Sequence, residues 1–147
     1  GDGNNMANSL MVGALKTGMK FSIACPEGYT PDAQLTEWAK EYGDDFEVTT
    51  DVKKAAKDAD VLYTDVWASM GQEEEKALRE KAFRNYQINA EVMECAKKDA
   101  MVLHCLPAHR GEEITEDVLE AHADEVFDEA ENRLHAQKAV MCKLLRD

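Results

Sequence analysis

The sequence predicts an α/β fold, a Rossmann-like open and mainly parallel sheet with helices on both faces. Short runs of almost continuous apolar residues alternate with stretches of helical pattern along the 147 residues. Strands that are covered by helices on both faces show this continuous apolar character. Residues typical of helix starts stand at the boundaries between the two kinds of segment. Alternating strands and helices form parallel sheets with right-handed crossovers, so we expect one domain, residues 1–147, with this architecture.

Five apolar runs are predicted as strands. Each is short, rich in large apolar residues and bounded by polar or turn-forming residues. In chain order they are Met19–Cys25, Phe46–Val48, Val61–Tyr63, Met101–Leu106 and Val126–Phe127. The carboxyl ends of parallel strands meet at one edge of the sheet, where open α/β folds bind their ligands.

Seven stretches between these runs are predicted as helices. They are Asn8–Thr17, Pro31–Tyr42, Val52–Lys57, Glu73–Phe83, Ala90–Lys97, Glu116–His122 and Asn132–Leu145. Thr30 precedes a proline at the first helical position, and Thr50-Asp51 and Thr115-Glu116 supply N-cap oxygens. Gly18 and Gly43 follow two of the helices, where a left-handed backbone is favoured.

The composition narrows the class of protein. Acidic residues outnumber basic ones by 30 to 17, for a formal net charge of −13. This balance disfavours nucleic acid or an anionic membrane as partner, because both attract a positive face. The four cysteines form no C-x-x-C pair and are typical of reduced thiols in a cytoplasmic protein. No apolar run reaches the roughly 18–20 residues of a membrane span, and no secretory signal pattern is seen.

The segment Gly1–Asn5 (GDGNN) leads directly into a predicted helix. In a doubly wound sheet such a turn follows a strand, so we expect that the sheet lacks its first strand or is completed by another segment. The chain is therefore expected to be a piece of a longer protein. A G-x-G without a third glycine is a weak phosphate-loop signal, and an ordinary strand-to-helix turn is the simpler interpretation. The two amides offer donors and acceptors that suit a zwitterionic head group.

Two further polar segments follow predicted strands. Asp65–Gly71 (DVWASMG) combines a carboxylate, a hydroxyl and a glycine-flanked N–H, a set that can hold an ammonium and a carboxylate, although a turn former is the plain alternative. His104–Gly111 (HCLPAHRG) contains a cysteine that can equally be a small buried residue. Because adjacent strand residues point to opposite faces, His104 and Cys105 are not expected to share a metal. The sequence predicts neither a metal site nor a cofactor.

The segment Glu129–His135 (EAENRLH) lies where the last predicted strand enters the last predicted helix. Its charges are consistent with a solvated first turn, in which the helix dipole favours Glu131. Arg133 is less expected there, because a cation near a helix N-terminus opposes the dipole. A bound anion or a polarised carbonyl would explain its position.

Together, these four segments resemble the ornithine-binding half of the ornithine carbamoyltransferases. The resemblance covers essentially the whole chain and is carried by GDGNN, DVWASMGQE, HCLPAHRGEE and FDEAENRLHAQKA. The SMG loop and the HCLP segment are specific together, whereas the glycine-asparagine turn alone is not. Aspartate carbamoyltransferases share the fold but are not expected to carry SMG or this cysteine. The implied reaction transfers the carbamoyl group of carbamoyl phosphate to the δ-amine of L-ornithine, giving L-citrulline and phosphate in arginine metabolism.

The resemblance also implies how the amino-acid substrate is held. Asn5 and the backbone N–H of Met70 would bind the α-carboxylate of ornithine. Asp65 and Ser69 would bind its α-ammonium, and Asp65 would also lie close to the reacting amine.

The remaining implied roles concern the carbamoyl group. Cys105 would lie beside the δ-amine, and the carbonyls of Cys105 and Leu106, next to a cis bond at Leu106-Pro107, would bind the carbamoyl NH₂. Arg133 would polarise the carbamoyl oxygen and stabilise the oxyanion. Asp65, Cys105 and Arg133 are thus the predicted catalytic residues, with Cys105 orienting the amine or handling a proton rather than attacking as a nucleophile.

The family's carbamoyl-phosphate domain, with its Ser-Thr-Arg-Thr loop, is absent from this sequence. We therefore expect the chain alone to bind ornithine weakly at best and not to turn over. The family implies L-ornithine and carbamoyl phosphate as partners, and a homotrimer or a multiple of trimers for the full-length protein.

Two other interpretations of the sequence remain. One is a non-catalytic amino-acid-binding α/β module, and the other is a sister carbamoyltransferase that uses putrescine or another amine. The implied contacts to an α-carboxylate would have no role with putrescine. A dinucleotide oxidoreductase is disfavoured, because the third glycine and the downstream ribose-binding acid are not in place.

Overall fold

The computed structural model describes residues 1–68 and 75–146, which form an α/β structure of short parallel strands and helices. The strands are β1 Phe21–Ala24, β2 Phe46–Thr49, β3 Val61–Thr64 and β4 Met101–His104. The helices are α1 Asn5–Lys16, α2 Ala33–Ala39, α3 Val52–Ala56, α4 Lys76–Phe83, α5 Ala90–Met93, α6 Glu116–Ala121 and α7 Ala123–Leu144, and a 3₁₀ helix, Lys40–Asp45, extends α2. Within the described residues, no helix is both long and apolar enough to cross a bilayer.

The described strands form two separate parallel pairs, β1 with β2 and β3 with β4. The predicted class and the parallel pairing are confirmed, although the two pairs are not hydrogen-bonded to each other. The first residues of the chain lie between the carboxyl ends of the pairs. The Gly1 nitrogen donates to the carbonyl of Ala24 at the end of β1, and Asn4 Nδ2 donates to Asp65 just after β3.

The first four predicted strands are confirmed, each as four residues. The fifth, Val126–Phe127, is wrong, because both residues lie within α7. The segment 123–144 contains neither glycine nor proline and is rich in alanine, glutamate, leucine and lysine, so two β-favouring residues do not interrupt the helix. Val126 is buried beside β4 whereas Phe127 is exposed.

Side-chain caps explain where the first helices begin. α1 starts at Asn5, earlier than predicted, because Asn4 Oδ1 accepts hydrogen bonds from the N–H groups of Met6 and Ala7 at 3.0 and 3.1 Å. The predicted start of α2 at Pro31 is wrong, because the helix begins at Ala33. Asp32 caps α2 instead, because its carboxylate accepts from two N–H groups of the first turn.

Three other predicted helix starts have different outcomes. Asp51 caps α3 as predicted, accepting from the N–H of Lys54. Thr115 stands at the N-cap of α6 but makes no side-chain cap hydrogen bond. The predicted start at Glu73 lies outside the described residues, within which the helix begins at Lys76.

Gly3 allows the segment before α1 to pass close to the segment before α2. A Cβ at Gly3 would lie 2.2 Å from the backbone atoms Thr30 C and Pro31 N, a distance that no side chain can occupy. The Gly3 N–H also donates to the carbonyl of Tyr29 at 2.8 Å. Glycine is therefore required here by the close approach of two backbones.

Among the described residues, the clustered buried apolar side chains form two regions, one around each strand pair, and the second consists of two clusters that share Phe21. The larger surrounds β3 and β4 and includes Leu62, Val102, Ile114, Val118 and Val126. The other packs α1 against β1 and the α2 segment and includes Ala7, Met11, Leu15, Ile23 and Cys25. The polar residues that follow β3 and β4 are therefore positioned by strands that pack into the larger of these regions.

Candidate functional site

The register of β3 and β4 brings two of the predicted catalytic residues together. Thr64 pairs with His104 at the last position of the two parallel strands. Asp65 directly follows Thr64, and Cys105 directly follows His104, so the two residues lie side by side at the carboxyl edge of the strands. The Asp65 carboxylate is close enough to the Cys105 thiol to raise the pKa of that thiol. The predicted pairing of Asp65 with Cys105 is therefore present in the structure.

The Asp65 carboxylate is oriented by two hydrogen bonds. Its Oδ2 accepts from Asn4 Nδ2 at 2.7 Å, and its Oδ1 accepts from the N–H of Val66 at 2.7 Å. Asn4 thus caps α1 with its oxygen and holds Asp65 with its nitrogen. The predicted substrate contact is Asn5, whereas this role belongs to Asn4, and the preference for asparagine at helix caps is the signal in the sequence that indicates it.

A second carboxylate belongs to the same cluster. Glu129 of α7 accepts a hydrogen bond from the Tyr63 hydroxyl at 2.8 Å and another from the His104 N–H at 3.0 Å. Tyr63 also lies close enough to Cys105 to affect the pKa of its thiol. Residues i and i+2 of a strand share a face, so Tyr63 and Asp65 point the same way. This spacing is the signal in the sequence that would have placed Tyr63 at the site.

The cluster keeps the Cys105 thiol protonated. Burial, together with the hydrogen bond to Asp65 and its charge, raises the pKa of Cys105 from 9.0 to about 12. Burial and the hydrogen bond to Glu129 also raise the pKa of Tyr63 well above its usual range. Both groups are neutral near pH 7 and can act as hydrogen-bond donors. A thiol in this state is suited to orienting a substrate or passing a proton, and poorly suited to nucleophilic attack.

We expect Cys105 to react slowly with iodoacetamide at pH 8, because only the thiolate is alkylated. The exposed Cys142 of the same protein serves as the internal reference. Asp65→Asn should speed the alkylation of Cys105, since it removes a negative charge that raises the pKa of the thiol. Peptide mass spectrometry over pH 7–11 measures both rates. Equal rates at Cys105 and Cys142 at pH 8 would contradict the protonated state.

The residue before Cys105 faces the opposite side of the sheet. His104 is fully buried, and its Nε2 lies 2.9 Å from Oε1 of the equally buried Glu113. Its Nδ1 accepts a hydrogen bond from the Leu106 N–H at 2.9 Å. The proton is therefore on Nε2, and a neutral His104 donates to Glu113. His104 and Cys105 have separate partners, as expected from their adjacent positions on a strand.

The segment after β4 has the shape that the resemblance implied. The Leu106-Pro107 peptide bond is cis, and Leu106 has a positive φ of 53°. The hydrogen bond from the Leu106 N–H to His104 holds this backbone in place. The cis bond that the resemblance implied at Leu106-Pro107 is therefore confirmed.

The other predicted site residues are placed differently. Asn5 is exposed at the first position of α1, and Arg133 is exposed on α7. The argument that Arg133 opposes a helix dipole is wrong, because α7 begins ten residues earlier at Ala123. Arg133 instead follows Glu129 by four residues, which puts it on the same helix face one turn beyond the cluster. Ser69 and Met70 lie outside the described residues.

A buried ion pair fixes the loops around the cluster. Arg79 of α4 donates to Asp2 at 2.8 Å, to the carbonyl of Trp67 at 3.1 Å and to Glu75 at 3.2 Å. Its guanidinium also lies 5.2 Å from the ring centre of Tyr29. Arg79 therefore links the Gly1–Asn5 turn to the chain that leaves β3. The sequence analysis did not single out either Arg79 or Asp2.

The arrangement as a whole is suited to a cationic amine. Two carboxylates, Asp65 and Glu129, flank a neutral thiol at one edge of the strands. Carboxylates form the strongest hydrogen bonds with ammonium groups, and a carboxylate can also accept a proton from an amine that becomes a nucleophile.

Comparison with known proteins gives a consistent result. The family model for the Asp/Orn-binding domain of aspartate/ornithine carbamoyltransferase matches residues 1–144. The ornithine carbamoyltransferase of Methanosarcina mazei is 55% identical over 146 residues, 99% of this chain and 48% of that protein. The anabolic ornithine carbamoyltransferase of Pyrococcus furiosus is 54% identical, over 99% of this chain and 47% of that protein.

A solved structure agrees with the sequence relatives. The anabolic ornithine carbamoyltransferase of Campylobacter jejuni superposes with a TM-score of 0.93 at 43% identity, covering 98% of this chain and 49% of that one. The chain thus spans about half the length of the curated relatives it matches. It belongs to the aspartate/ornithine carbamoyltransferase family, whose Asp/Orn-binding domain it represents.

Proposed function

We propose that the protein containing this chain transfers the carbamoyl group of carbamoyl phosphate to the δ-amine of L-ornithine, and that this chain supplies the ornithine half of the site. The products are L-citrulline and phosphate, in arginine metabolism. The observation that carries the proposal is the Asp65–Cys105 pair at the carboxyl ends of β3 and β4. The relatives named ornithine carbamoyltransferase support the choice of reaction.

The chemistry requires a means of removing a proton. An alkyl amine with a pKa of about 10.4 is almost entirely protonated near pH 7 and cannot attack a carbonyl in that form. In the proposed mechanism Asp65 binds the amino acid and takes part in removing the proton, while the Cys105 thiol orients the δ-amine. The free amine then attacks the carbamoyl carbon, the C–O bond to phosphate breaks, and phosphate leaves with the electron pair and takes up the proton that the attacking nitrogen loses.

The remaining roles complete the proposal. Arg133 stabilises the oxyanion that forms on the carbamoyl oxygen, and the carbonyls of Cys105 and Leu106 bind the carbamoyl NH₂. Asn5 and the Met70 N–H bind the α-carboxylate of ornithine. Ser69 assists Asp65 with the α-ammonium. Glu129 adds a second negative charge near this position, through its contact with Tyr63.

The domain organisation is also a proposal. We infer that this chain is the C-terminal, ornithine-binding half of a longer enzyme, with carbamoyl phosphate held by the other half. A preceding strand would fit between β1 and β3, because the Gly1 nitrogen already hydrogen-bonds to β1 and Asn4 to the end of β3. The free thiols of all four cysteines support a reducing, cytoplasmic compartment. A homotrimer, or a multiple of trimers, follows from the family.

Citrulline formation tests the proposed function. The full-length protein, incubated with carbamoyl phosphate and ornithine, is expected to release citrulline and phosphate in equal amounts. Putrescine in place of ornithine should give little product, since it lacks the α-carboxylate. The 147-residue chain alone should give none. Transfer to putrescine at the same rate would favour the sister enzyme, and no transfer to either amine would favour the binding module.

A further inference from the structure

A turn on the far side of His104 brings three potential metal ligands together. His109, Glu112 and Glu113 offer one ring nitrogen and two carboxylate oxygens that all lie within 4.8 Å of one another. Gly111, with a φ of 86°, and a hydrogen bond from the Glu112 N–H to the His109 carbonyl close the turn. These residues are separate from the Asp65–Cys105 cluster and have no part in the proposed reaction.

One ligand atom in this group is buried and unsatisfied. Glu113 is fully buried, and among the described residues its Oε2 has no hydrogen-bond partner. Oε1 accepts from His104 Nε2 and from the His109 N–H, but a neutral His104 does not balance the carboxylate charge. A buried carboxylate oxygen without a partner is costly, because it has lost its hydration. In this turn His109 Nδ1 lies 3.9 Å from Oε2.

The distances in the turn suit a small cation. His109 Nδ1 lies 3.7 Å from Glu112 Oε2 and 3.9 Å from Glu113 Oε2. Tetrahedral bonds of about 2.0–2.2 Å place neighbouring ligand atoms roughly 3.4 Å apart, so the two distances from His109 Nδ1 are within a few tenths of an ångström of that spacing. His109 is about half exposed and can make a shift of this size, which also provides an entry path.

The chemistry of the ligands indicates the class of ion. One imidazole nitrogen with two carboxylate oxygens suits divalent transition metals such as Zn²⁺ better than Mg²⁺ or Ca²⁺, which prefer oxygen alone. Two nearby cations have other partners or use the second oxygen of Glu112. Arg110 pairs with Glu116 and Glu120, and Lys76 reaches the other oxygen of Glu112 at 3.4 Å. Oε2 of Glu112 and Oε2 of Glu113, which lie nearest to His109 Nδ1 in these contacts, are the oxygens available to an ion.

We propose that His109, Glu112 and Glu113 form a binding site for one divalent transition-metal ion. Such an ion neutralises the buried Glu113 charge from its unsatisfied side. It also lies next to the hydrogen bonds that run from Glu113 through His104 to the Leu106 N–H. A bound ion therefore stabilises the turn that contains Cys105, although the ion itself lies outside the substrate-binding cluster.

Calorimetric titration of the full-length protein with Zn²⁺ alone tests the proposal. Wild type is expected to bind one ion that His109→Ala and Glu112→Gln each weaken by at least about 10–100-fold. His135→Ala is the matched control, because His135 is also an exposed histidine beside a glutamate, with its Nε2 3.1 Å from Glu131. This variant should bind Zn²⁺ as wild type does. Both test positions are accessible, so these changes leave the buried Glu113 in place.

A second probe distinguishes this site from thiol binding. Co²⁺ bound by nitrogen and oxygen ligands lacks the thiolate charge-transfer absorption that coordination by a cysteine produces. A spectrum of bound Co²⁺ that lacks this band, and that is no longer seen in His109→Ala, would support the site. Zn²⁺ binding that is unchanged in both His109→Ala and Glu112→Gln, or the absence of binding to wild type, would overturn the proposal. Neither result depends on the carbamoyl-transfer assay.

Discussion

Replacing Arg79 by methionine is expected to lower the free energy of unfolding by about 3–5 kcal/mol. Arg79 and Asp2 are 8% and 12% exposed, so the substitution leaves the Asp2 carboxylate buried without its partner. It also removes the donor to the Trp67 carbonyl. Methionine retains much of the apolar stem, so the loss reflects charge and hydrogen bonding rather than a cavity. Urea unfolding followed by tryptophan fluorescence measures the change.

Two further variants identify the cause of this loss. Arg84→Met removes an exposed arginine at the end of the same helix and should change the stability by less than about 0.5 kcal/mol. The double variant Asp2→Ala with Arg79→Met should recover part of the loss, because no unpaired charge stays buried. A loss below about 1 kcal/mol for Arg79→Met would show that the pair behaves as a surface ion pair.

The central pair of the candidate site was predictable from the sequence. Val61–Tyr63 and Met101–Leu106 have the apolar character of covered parallel strands. Parallel strands place their carboxyl ends together, so Asp65, which follows the first run, and Cys105, which lies near the end of the second, were expected to meet. The structure adds the register, Thr64 opposite His104, that makes them neighbours.

The partners of this pair could not be predicted, for physical reasons that differ between residues. Glu129 was assigned to a solvated first turn, because the apolar pair before it was predicted as a strand, whereas α7 already starts at Ala123 and contacts β4. A two-residue run, Val126–Phe127, reads equally as strand or as one face of a helix. Arg79 has the pattern of an exposed helix residue, and its burial comes from Asp2, 77 positions away.

Asp65→Asn in the full-length protein is expected to reduce kcat/KM for ornithine by about 10²–10⁴-fold. The change preserves the shape of the side chain but removes the charge that binds an ammonium and accepts a proton. One atom of the new amide is also a donor, so it cannot accept both from Asn4 and from the Val66 N–H as the carboxylate does. Steady-state citrulline formation with ornithine varied at saturating carbamoyl phosphate measures the effect.

The matched control for this loss is Asp60→Asn, at the opposite end of β3. Asp60 is exposed and pairs with Lys97 at 2.6 Å, a surface contact whose loss should leave kcat/KM within about twofold of wild type. Asn4→Ser separates charge from orientation, because serine can still cap α1 but has no amide to donate to Asp65. A smaller loss in Asn4→Ser than in Asp65→Asn would assign the larger share to the carboxylate itself. Wild-type kcat/KM in Asp65→Asn would remove Asp65 from the mechanism.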